Sequence, residues 1–244
     1  MKHYTYFFIL ILSLAGPLLL SFDKKVQFYR KWKYVFPAMI LPAIIYIAWD
    51  SWFTGLGIWS FNREYISGIY IFNLPVEEVL FFFVVPYCCL FIYECILSYF
   101  PSLQCIAVSD YVLGAIGFVL LVMGFIFRQK MYTVSTSLFT SLFIAFLLSF
   151  RNLFQEFNSR TFLVSYAVIL FPFLIVNGFL TALPVVLYNN SENLNVRIYT
   201  IPAEDIFYGM LLVLMNVVIY EKLKKTGNKN KGHLTSNISS HLVL

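Results

Sequence analysis

Seven long apolar stretches constrain the fold of this chain more than any other feature of its sequence. They cover residues 4–22, 34–53, 76–100, 106–127, 132–150, 161–187 and 203–223. A helix needs about 20 apolar residues to cross the hydrocarbon core of a bilayer, and each stretch is close to that length. Because 60% of the residues are hydrophobic and only 12% are charged, little sequence remains for a water-soluble domain. The sequence therefore predicts an all-α integral membrane protein with seven transmembrane helices.

Basic residues indicate the orientation of these helices. The first stretch lacks a small-residue cleavage site and is followed by a basic segment, residues 24–33, so we interpret it as a transmembrane helix rather than a signal peptide. With the N-terminus outside, twelve Lys and Arg residues lie on the inner side and five on the outer side. Cytoplasmic loops carry such an excess. We therefore expect an N-out, C-in protein of the bacterial cytoplasmic membrane. The net charge of +5 then reflects topology, and no nucleic-acid partner is expected.

The chain also repeats itself at a constant offset of 127 residues. Residues 75–78 align with 202–205, and residues 92–94 align with 219–221. These matches include Pro and Glu, which a membrane composition does not favour, so we interpret the register as a true internal repeat.

This repeat divides the chain into four parts. Helices 1–3 correspond to helices 5–7, and helix 4 connects them. Because helices 3 and 7 run in the same direction, the repeats are predicted to be parallel, with both acidic motifs on the outer side. The predicted parts are a first three-helix repeat over 1–105, a connector helix over 106–130, a second three-helix repeat over 131–223, and a basic, polar, disordered cytoplasmic tail over 224–244.

Each repeat opens an apolar helix with two adjacent acids, which are Glu77, Glu78, Glu204 and Asp205. Acids in a first turn are also ordinary helix-start chemistry, because the free amides there favour anions. However, carboxyl groups near hydrocarbon are costly and mark functional sites. Two carboxyl groups in one dry cavity cannot both ionise at low cost, so such a pair can supply one proton donor and one anion. We predict that these four acids are catalytic and that Glu77 and Glu204, identical between the copies, are essential.

Other residues bear on the chemistry less directly. Aromatic residues make up 20% of the chain, more than an interfacial belt requires, so some are expected to line a cavity and stabilise a positive charge. Glu94 and Glu221 lie towards the inner boundary, where we expect them to pair with Lys or to be solvated rather than to take part in catalysis. No metal site is predicted, because the cysteines lack His partners at metal-binding spacing. These cysteines are Cys88, Cys89, Cys95 and Cys105.

At this point the motifs resemble a known family. The sequences WD at 49–50, TGLGIW at 54–59, LPVEEVLFF at 74–82 and IPAED at 201–205 are similar to motifs of the small membrane lycopene cyclases. In that family the two repeats occur as separate subunits of a heterodimer or fused in one chain, and this sequence resembles the fused form. The departures of the second copy from the first include Ala182 for Gly55, Pro184 for Gly57 and Val186 for Trp59.

The resemblance implies a lycopene β-cyclase of carotenoid biosynthesis, an isomerase that needs no cofactor. An acid protonates the terminal double bond of lycopene or another linear carotene, the neighbouring double bond closes a six-membered ring, and a base removes a proton to give the β-ring of β-carotene. The expected partners are this carotene and the lipid bilayer, while a homo-oligomer and contacts with other carotenoid enzymes stay open. The predicted substrate-binding residues are Trp49, Asp50, Trp52, Thr54, Trp59, Asn62, Phe81, Thr181 and Tyr208.

Other functions stay open at this stage. A carotenoid hydratase of related fold starts with the same protonation, but water captures the cation and the product gains one water. A small membrane transporter would also have repeats, a connector helix and acids on one side, although it would place the acids near the middle of the membrane. A structural membrane subunit is a third alternative.

Overall fold

Seven helices form the protein, as a computed structural model shows for residues 2–102 and 108–241. Helices α1–α7 are Thr5–Leu20, Trp32–Gly55, Val76–Tyr99, Val108–Ile126, Met131–Ser149, Ser159–Ala182 and Glu204–His241. Each is long and apolar enough to cross a membrane, α1 together with the short 3-10 helix Lys2–Tyr4 that precedes it. The predicted helix count is therefore confirmed over these residues. Cys105 and the predicted start of the fourth stretch at residue 106 lie outside the described residues.

Two helix ends differ from the sequence prediction by more than two residues. The sixth apolar stretch was expected to run to residue 187, but α6 ends at Ala182. Pro184 explains this difference, because a proline lacks the main-chain donor and disfavours helical conformation in the residue before it. The last helix, α7, continues to His241, over the polar tail for which the sequence predicts disorder. A short, isolated helix is marginal in water, so disorder of this tail in solution stays a prediction.

Short strands occupy the loops that precede α3 and α7. Strands β1–β6 are Trp59–Phe61, Tyr70–Ile71, Leu74–Pro75, Val186–Tyr188, Arg197–Ile198 and Ile201–Pro202. Strands β2 and β3 form one hairpin, and β5 and β6 form another. Each hairpin leads directly into the helix that starts with an acidic pair. We do not predict these strands from the sequence, because two or three residues are too few to show a period.

Main-chain hydrogen bonds connect the two repeats reciprocally. Asn62 N donates to Val185 O at 2.9 Å, and Asn189 N donates to Ile58 O at 2.8 Å. The two bonds correspond under the repeat, because Asn189 lies 127 residues after Asn62 and Val185 lies 127 residues after Ile58. Next to these bonds, β1 pairs with β4 in antiparallel register. Reciprocal contacts of this kind arise across a twofold axis, and the internal repeat is therefore present in the fold as well as in the sequence.

An ion-pair cluster lies near the other end of α3, away from the acidic motif. Glu94 is buried and accepts hydrogen bonds from Lys31, from Tyr220 at 2.5 Å and from Lys224 at 2.7 Å. Lys224 also lies 3.4 Å from Glu221. The expected pairing of these two acids with lysines is confirmed. The cluster connects α3 with α7 and with the basic loop before α2, and so stabilises the packing of the two repeats.

Candidate active site

A buried polar cavity lies between the first turns of α3 and α7. Its free volume is about 50 Å³, which is room for only a few water molecules. Three carboxyl side chains line it, and they are Asp50 from α2, Glu78 from α3 and Asp205 from α7. Both repeats therefore contribute acids to one site. Its aromatic lining includes Trp59, Phe81 and Tyr208, so rings surround the carboxyl groups.

Phenol groups hold two of these carboxyl groups in place. Tyr6 Oη donates to Glu78 Oε2 at 2.5 Å. Tyr132 Oη donates to Asp205 Oδ1 at 2.6 Å, and Tyr188 Oη donates to Asp205 Oδ2 at 2.9 Å. Tyr6 and Tyr132 lie in the first turns of α1 and α5, which are corresponding helices of the two repeats. Both oxygens of Asp205 are thus bound by hydroxyl donors.

Tyr188 is the phenol that comes from a loop strand rather than from a membrane-spanning helix. Burial raises the pKa of Tyr188 well above its usual value, and the adjacent Asp205 raises it further. The hydroxyl therefore keeps its proton at physiological pH and remains a hydrogen-bond donor to the carboxyl group.

Several polar atoms in the cavity have no hydrogen-bond partner among the described residues. They are Oδ2 of Asp50, Nε1 of Trp59 and Oη of Tyr208. Buried polar atoms are normally paired, and exceptions usually mark a place where water or a ligand binds. The three groups all line the same cavity. Their unpaired hydrogen-bond donors and acceptors are consistent with a site that binds another molecule.

Glu77 and Glu204 are buried but do not line this cavity. Glu77 Oε1 accepts a hydrogen bond from Ser67 N at 2.6 Å, and Glu204 Oε1 accepts one from Leu194 N at 2.7 Å. Each acid therefore fastens the loop that precedes its own helix. Adjacent helical residues point about 100° apart, which explains why only one member of each pair reaches the cavity. Those members are Glu78 and Asp205, whereas the sequence predicts that Glu77 and Glu204 are the essential acids.

The other predicted site residues divide into two groups. Besides the carboxyl groups, the cavity is lined by Trp59, Phe81, Thr181 and Tyr208, as the sequence predicts. Four predicted residues are absent from its lining, and they are Trp49, Trp52, Thr54 and Asn62.

The tryptophans of this second group have other environments. Trp49 is buried and packs against the ring of Tyr208 at a centroid distance of 5.1 Å. Trp52 is 51% exposed, which suits the interfacial belt that the sequence leaves open as an alternative. Asn62 accepts a hydrogen bond from Glu64 N at 3.1 Å and so belongs to a turn.

Some lining residues are not predicted from the sequence. Tyr6, Tyr132 and Tyr188 are the phenol donors, and Phe173 and Asn177 come from α6. A signal for two of the tyrosines exists, because Tyr6 and Tyr132 stand 126 residues apart at corresponding helix starts. In the part of the chain that the structure describes, no group of three or more His, Cys, Asp or Glu side chains is arranged to hold a metal ion.

Comparisons with known proteins bear on the identity of this fold. The model of the lycopene cyclase family matches residues 3–96 and 129–223. These segments are the two repeats, each with its acidic motif, and together they cover more than half of the chain. No curated protein and no solved structure matches the chain. On the strength of the family match across both repeats, this chain belongs to the lycopene cyclase family, with its two repeats fused.

Proposed function

We propose that this protein is a lycopene β-cyclase, which converts the end groups of a linear carotene to β-rings by acid–base catalysis. Family membership indicates a membrane enzyme that acts on carotenoids. The observation that carries the finer proposal is the single buried cavity in which Asp50, Glu78 and Asp205 meet beside aromatic rings. Such a cavity holds what a cyclisation through cations requires, namely a proton donor, an anion and a lining that stabilises positive charge.

Hydrogen bonds suggest how the carboxyl groups divide these roles. Asp205 accepts two hydrogen bonds from phenols, Glu78 accepts one, and Asp50 accepts none from a phenol. Hydrogen bonds to a carboxylate favour its charged form. We therefore assign the anion to Asp205 and the transferable proton to the pair formed by Glu78 and Asp50.

The reaction then proceeds in three steps. The acid transfers its proton to the terminal double bond of the carotene, which leaves a tertiary cation and a carboxylate. The neighbouring double bond attacks this cation, so that one carbon–carbon bond forms and the positive charge moves to a ring carbon. A carboxylate removes a proton from the adjacent ring carbon and restores the double bond. Protons balance over the cycle, and the product has the mass of the substrate.

Aromatic side chains and dryness favour ring closure over side reactions. Trp59, Phe81 and Tyr208 line the cavity, and ring faces attract cations without reacting with them. Charges in a water-excluded site are stabilised by groups that are already oriented. Water in the same place would capture the first cation and give the hydratase product instead. The cyclase therefore requires that the bound end group displace the few water molecules for which the cavity has room.

We further propose that the repeats are parallel, that the N-terminus is outside and that the protein lies in a bacterial cytoplasmic membrane. The excess of basic residues in the first inner loop and the tail supports this orientation. The meeting of Glu78 and Asp205 in one cavity supports acidic motifs on the same side of the membrane.

Expression in a bacterial host that accumulates lycopene tests the proposal. The parent protein is expected to convert lycopene to β-carotene without added flavin. Glu78→Gln and Asp205→Asn keep the side-chain shape but remove the transferable proton or the charge, so each should lower conversion by about 10²-fold or more. Glu77→Gln is the matched control, because Gln can still accept the hydrogen bond from Ser67 N.

Pigment analysis separates the outcomes. A product heavier by one water would identify a hydratase. Glu78→Gln protein that accumulates normally in the membrane and cyclises at the parent rate would contradict the mechanism. Loss of conversion in Glu77→Gln equal to that in Glu78→Gln would indicate that Glu77 and Glu204 take part in the reaction after all.

A further inference from the structure

An apolar groove adjoins the cavity that Asp50, Glu78 and Asp205 line, which we call the carboxyl cavity. The groove lies between α1, α3 and α6 and has a free volume of about 170 Å³. Small or flexible side chains line it, including Ser13, Cys88 and Val176. Phe173 and Asn177 line both the groove and the cavity. The two spaces therefore adjoin, and we call the first one the α1–α3–α6 groove.

Two polar side chains of this groove make hydrogen bonds inside the protein. Ser13 Oγ donates to Ile9 O at 2.7 Å, and Cys88 Sγ donates to Ser13 O at 3.5 Å. Pro17 and Pro172 lie inside α1 and α6 and also line the groove. Prolines interrupt the hydrogen bonding of a helix interior, which favours irregular packing where these helices face each other. The result is an apolar slot that suits a polyene chain.

The repeat creates a second groove at the corresponding place. This α2–α5–α7 groove has a free volume of about 420 Å³. Residues of the first groove map onto larger ones in the second at the offset of 127. Cys88 corresponds to Met215, and Val176 corresponds to Trp49. Among the described residues, none lines both the second groove and the carboxyl cavity.

Aromatic rings separate the second groove from the cavity. The ring of Tyr208 lies 4.8 Å from the ring of Tyr46 and 5.1 Å from the ring of Trp49. Tyr46 Oη also donates to Tyr208 O at 2.9 Å. Trp49 packs in turn against Phe139 at 5.0 Å. These contacts form a closed wall on the side of α2, α5 and α7.

At the corresponding junction of the first groove, the ring of Phe173 packs against Gly209. A Cβ atom on Gly209 would lie 2.8 Å from Cζ of Phe173. The residue that corresponds to Gly209 in the first repeat is Phe82, which packs on Tyr46 at 5.7 Å. The glycine therefore leaves space for Phe173 that the other junction lacks. Phe173 and Asn177 together form the boundary between the groove and the cavity.

We propose that the α1–α3–α6 groove binds the polyene chain of a linear carotene while its end group occupies the carboxyl cavity, and that the α2–α5–α7 groove binds none. This proposal rests on the proposed cyclase function and specifies its binding site. One chain then holds one end group at a time. A carotene with two cyclisable ends must leave and bind again in the opposite direction, so a carotene with one ring is released between the two reactions.

Bulky substitutions at corresponding positions test the asymmetry. Cys88→Trp fills the first groove, and Met215→Trp places the same residue at the corresponding position of the second. Cys88→Trp is expected to lower lycopene conversion by about 10²-fold, because a misplaced end group reacts slowly. Met215→Trp is expected to keep the parent rate. Val176→Trp fills the first groove from α6 rather than from α3, with the residue that the corresponding position 49 already has. It should lower lycopene conversion as Cys88→Trp does.

A second measurement uses no bulky substitution. In membranes that contain Glu78→Gln protein, which is expected to convert lycopene about 10²-fold more slowly than the parent, an apolar thiol reagent is applied. The labelled cysteines are then identified by mass spectrometry. Lycopene is expected to slow the labelling of Cys88. Cys95 is absent from the groove lining and is the internal control, with the same labelling rate in both conditions.

The outcomes distinguish the groove from the reaction. If the groove-filling variants accumulate and cyclise at the parent rate, or if lycopene leaves Cys88 labelling unchanged, the groove proposal is overturned and the cyclase function stands. Equal losses in Cys88→Trp and Met215→Trp would overturn the asymmetry. If the parent protein does not cyclise lycopene, the proposed function fails, while protection of Cys88 still decides whether the groove binds the polyene.

Discussion

Single residues decide which carboxyl groups enter the cavity. Glu77 and Glu78 are neighbours with the same chemistry, yet one binds Ser67 N and the other binds Tyr6 Oη. The acidic pairs are predictable from the sequence, because charge near hydrocarbon is costly and conspicuous. The member that faces inward is not predictable, because the rotation of a helix about its axis depends on packing along its whole length. Tyrosines at helix starts are equally ambiguous, since an interfacial belt uses the same residue type.

Removal of a phenol donor should weaken catalysis without removing a carboxyl group. Tyr188→Phe leaves Asp205 Oδ2 without its hydroxyl partner. A hydrogen bond to a charged group contributes about 1.5–3 kcal/mol, so we expect kcat/KM for lycopene to fall by about 10- to 100-fold. Conversion assays in isolated membranes measure this. Tyr199→Phe, at a position that is 82% exposed, is the control and should keep the parent rate.

The pH dependence of the same variant follows from its raised pKa. A free phenol loses its proton near pH 10, whereas burial raises the pKa of Tyr188 and keeps the hydroxyl protonated there. The ratio of parent to Tyr188→Phe rates is therefore expected to stay constant from about pH 7 to about pH 10. A ratio that declines towards one at the upper end would show that Tyr188 ionises in this range and that its burial is incomplete.

At the scale of elements, the seven helices are predictable and the loops are not. Apolar length predicts each span, and Pro184 explains the early end of α6. The loops matter more for the site than their length suggests, because β4 carries Tyr188 and β1 carries Trp59 into the cavity. Long-range pairing of such short strands leaves no pattern in the local sequence.

Substitution at the junction between α6 and α7 should impede access to the cavity. In Gly209→Ala the added Cβ would lie 2.8 Å from Cζ of Phe173, so the ring must shift. Overpacking of this kind costs about 1–3 kcal/mol. We expect slower lycopene conversion and a lower Tm of the detergent-purified protein. Gly16→Ala in α1 is the control, because its Cβ would meet nothing within 4 Å; an equal loss there would indicate a general effect of alanine.

The ion-pair cluster should stabilise the fold without taking part in the reaction. Glu94→Gln removes the negative charge that Lys31 and Lys224 share. Both lysine side chains are about one quarter exposed, so water compensates part of the loss, and we expect a cost of about 1–3 kcal/mol. Thermal unfolding in detergent measures it. At temperatures where the variant remains folded, conversion should equal that of the parent, and a selective loss of turnover would contradict a purely structural role.

At the scale of the whole molecule, the two repeats build one site rather than two. The departures of the second copy at Ala182, Pro184 and Val186 suggest from the sequence that its site is less complete. In the structure, Asp205 of the second copy and Glu78 of the first line the same cavity, so each copy supplies part of the proposed site. A sequence repeat predicts equivalent elements, but it does not predict where those elements meet.

Orientation is a property of the whole chain and can be tested in intact cells. The excess of basic residues on the predicted inner side, twelve against five, leads us to expect an external N-terminus and a cytoplasmic C-terminus. A membrane-impermeant reagent should label a tag at the N-terminus and reach a C-terminal tag only after the cells are permeabilised. Labelling of the C-terminal tag in intact cells would invert the topology, together with the side on which the acidic motifs lie.

The reciprocal hydrogen bonds between Asn62 and Val185 and between Asn189 and Ile58 suggest how such a chain originates. A contact made twice in this way is the form of a homodimer interface, so an ancestor made of two identical chains has a natural means of assembly. In a homodimer every substitution appears in both subunits. Gene fusion removes that restriction, and one copy can keep Asp50 while the other carries Asn177 at the corresponding position. Asymmetry is thus an evolutionary freedom that a single polypeptide has and its symmetric ancestor lacks.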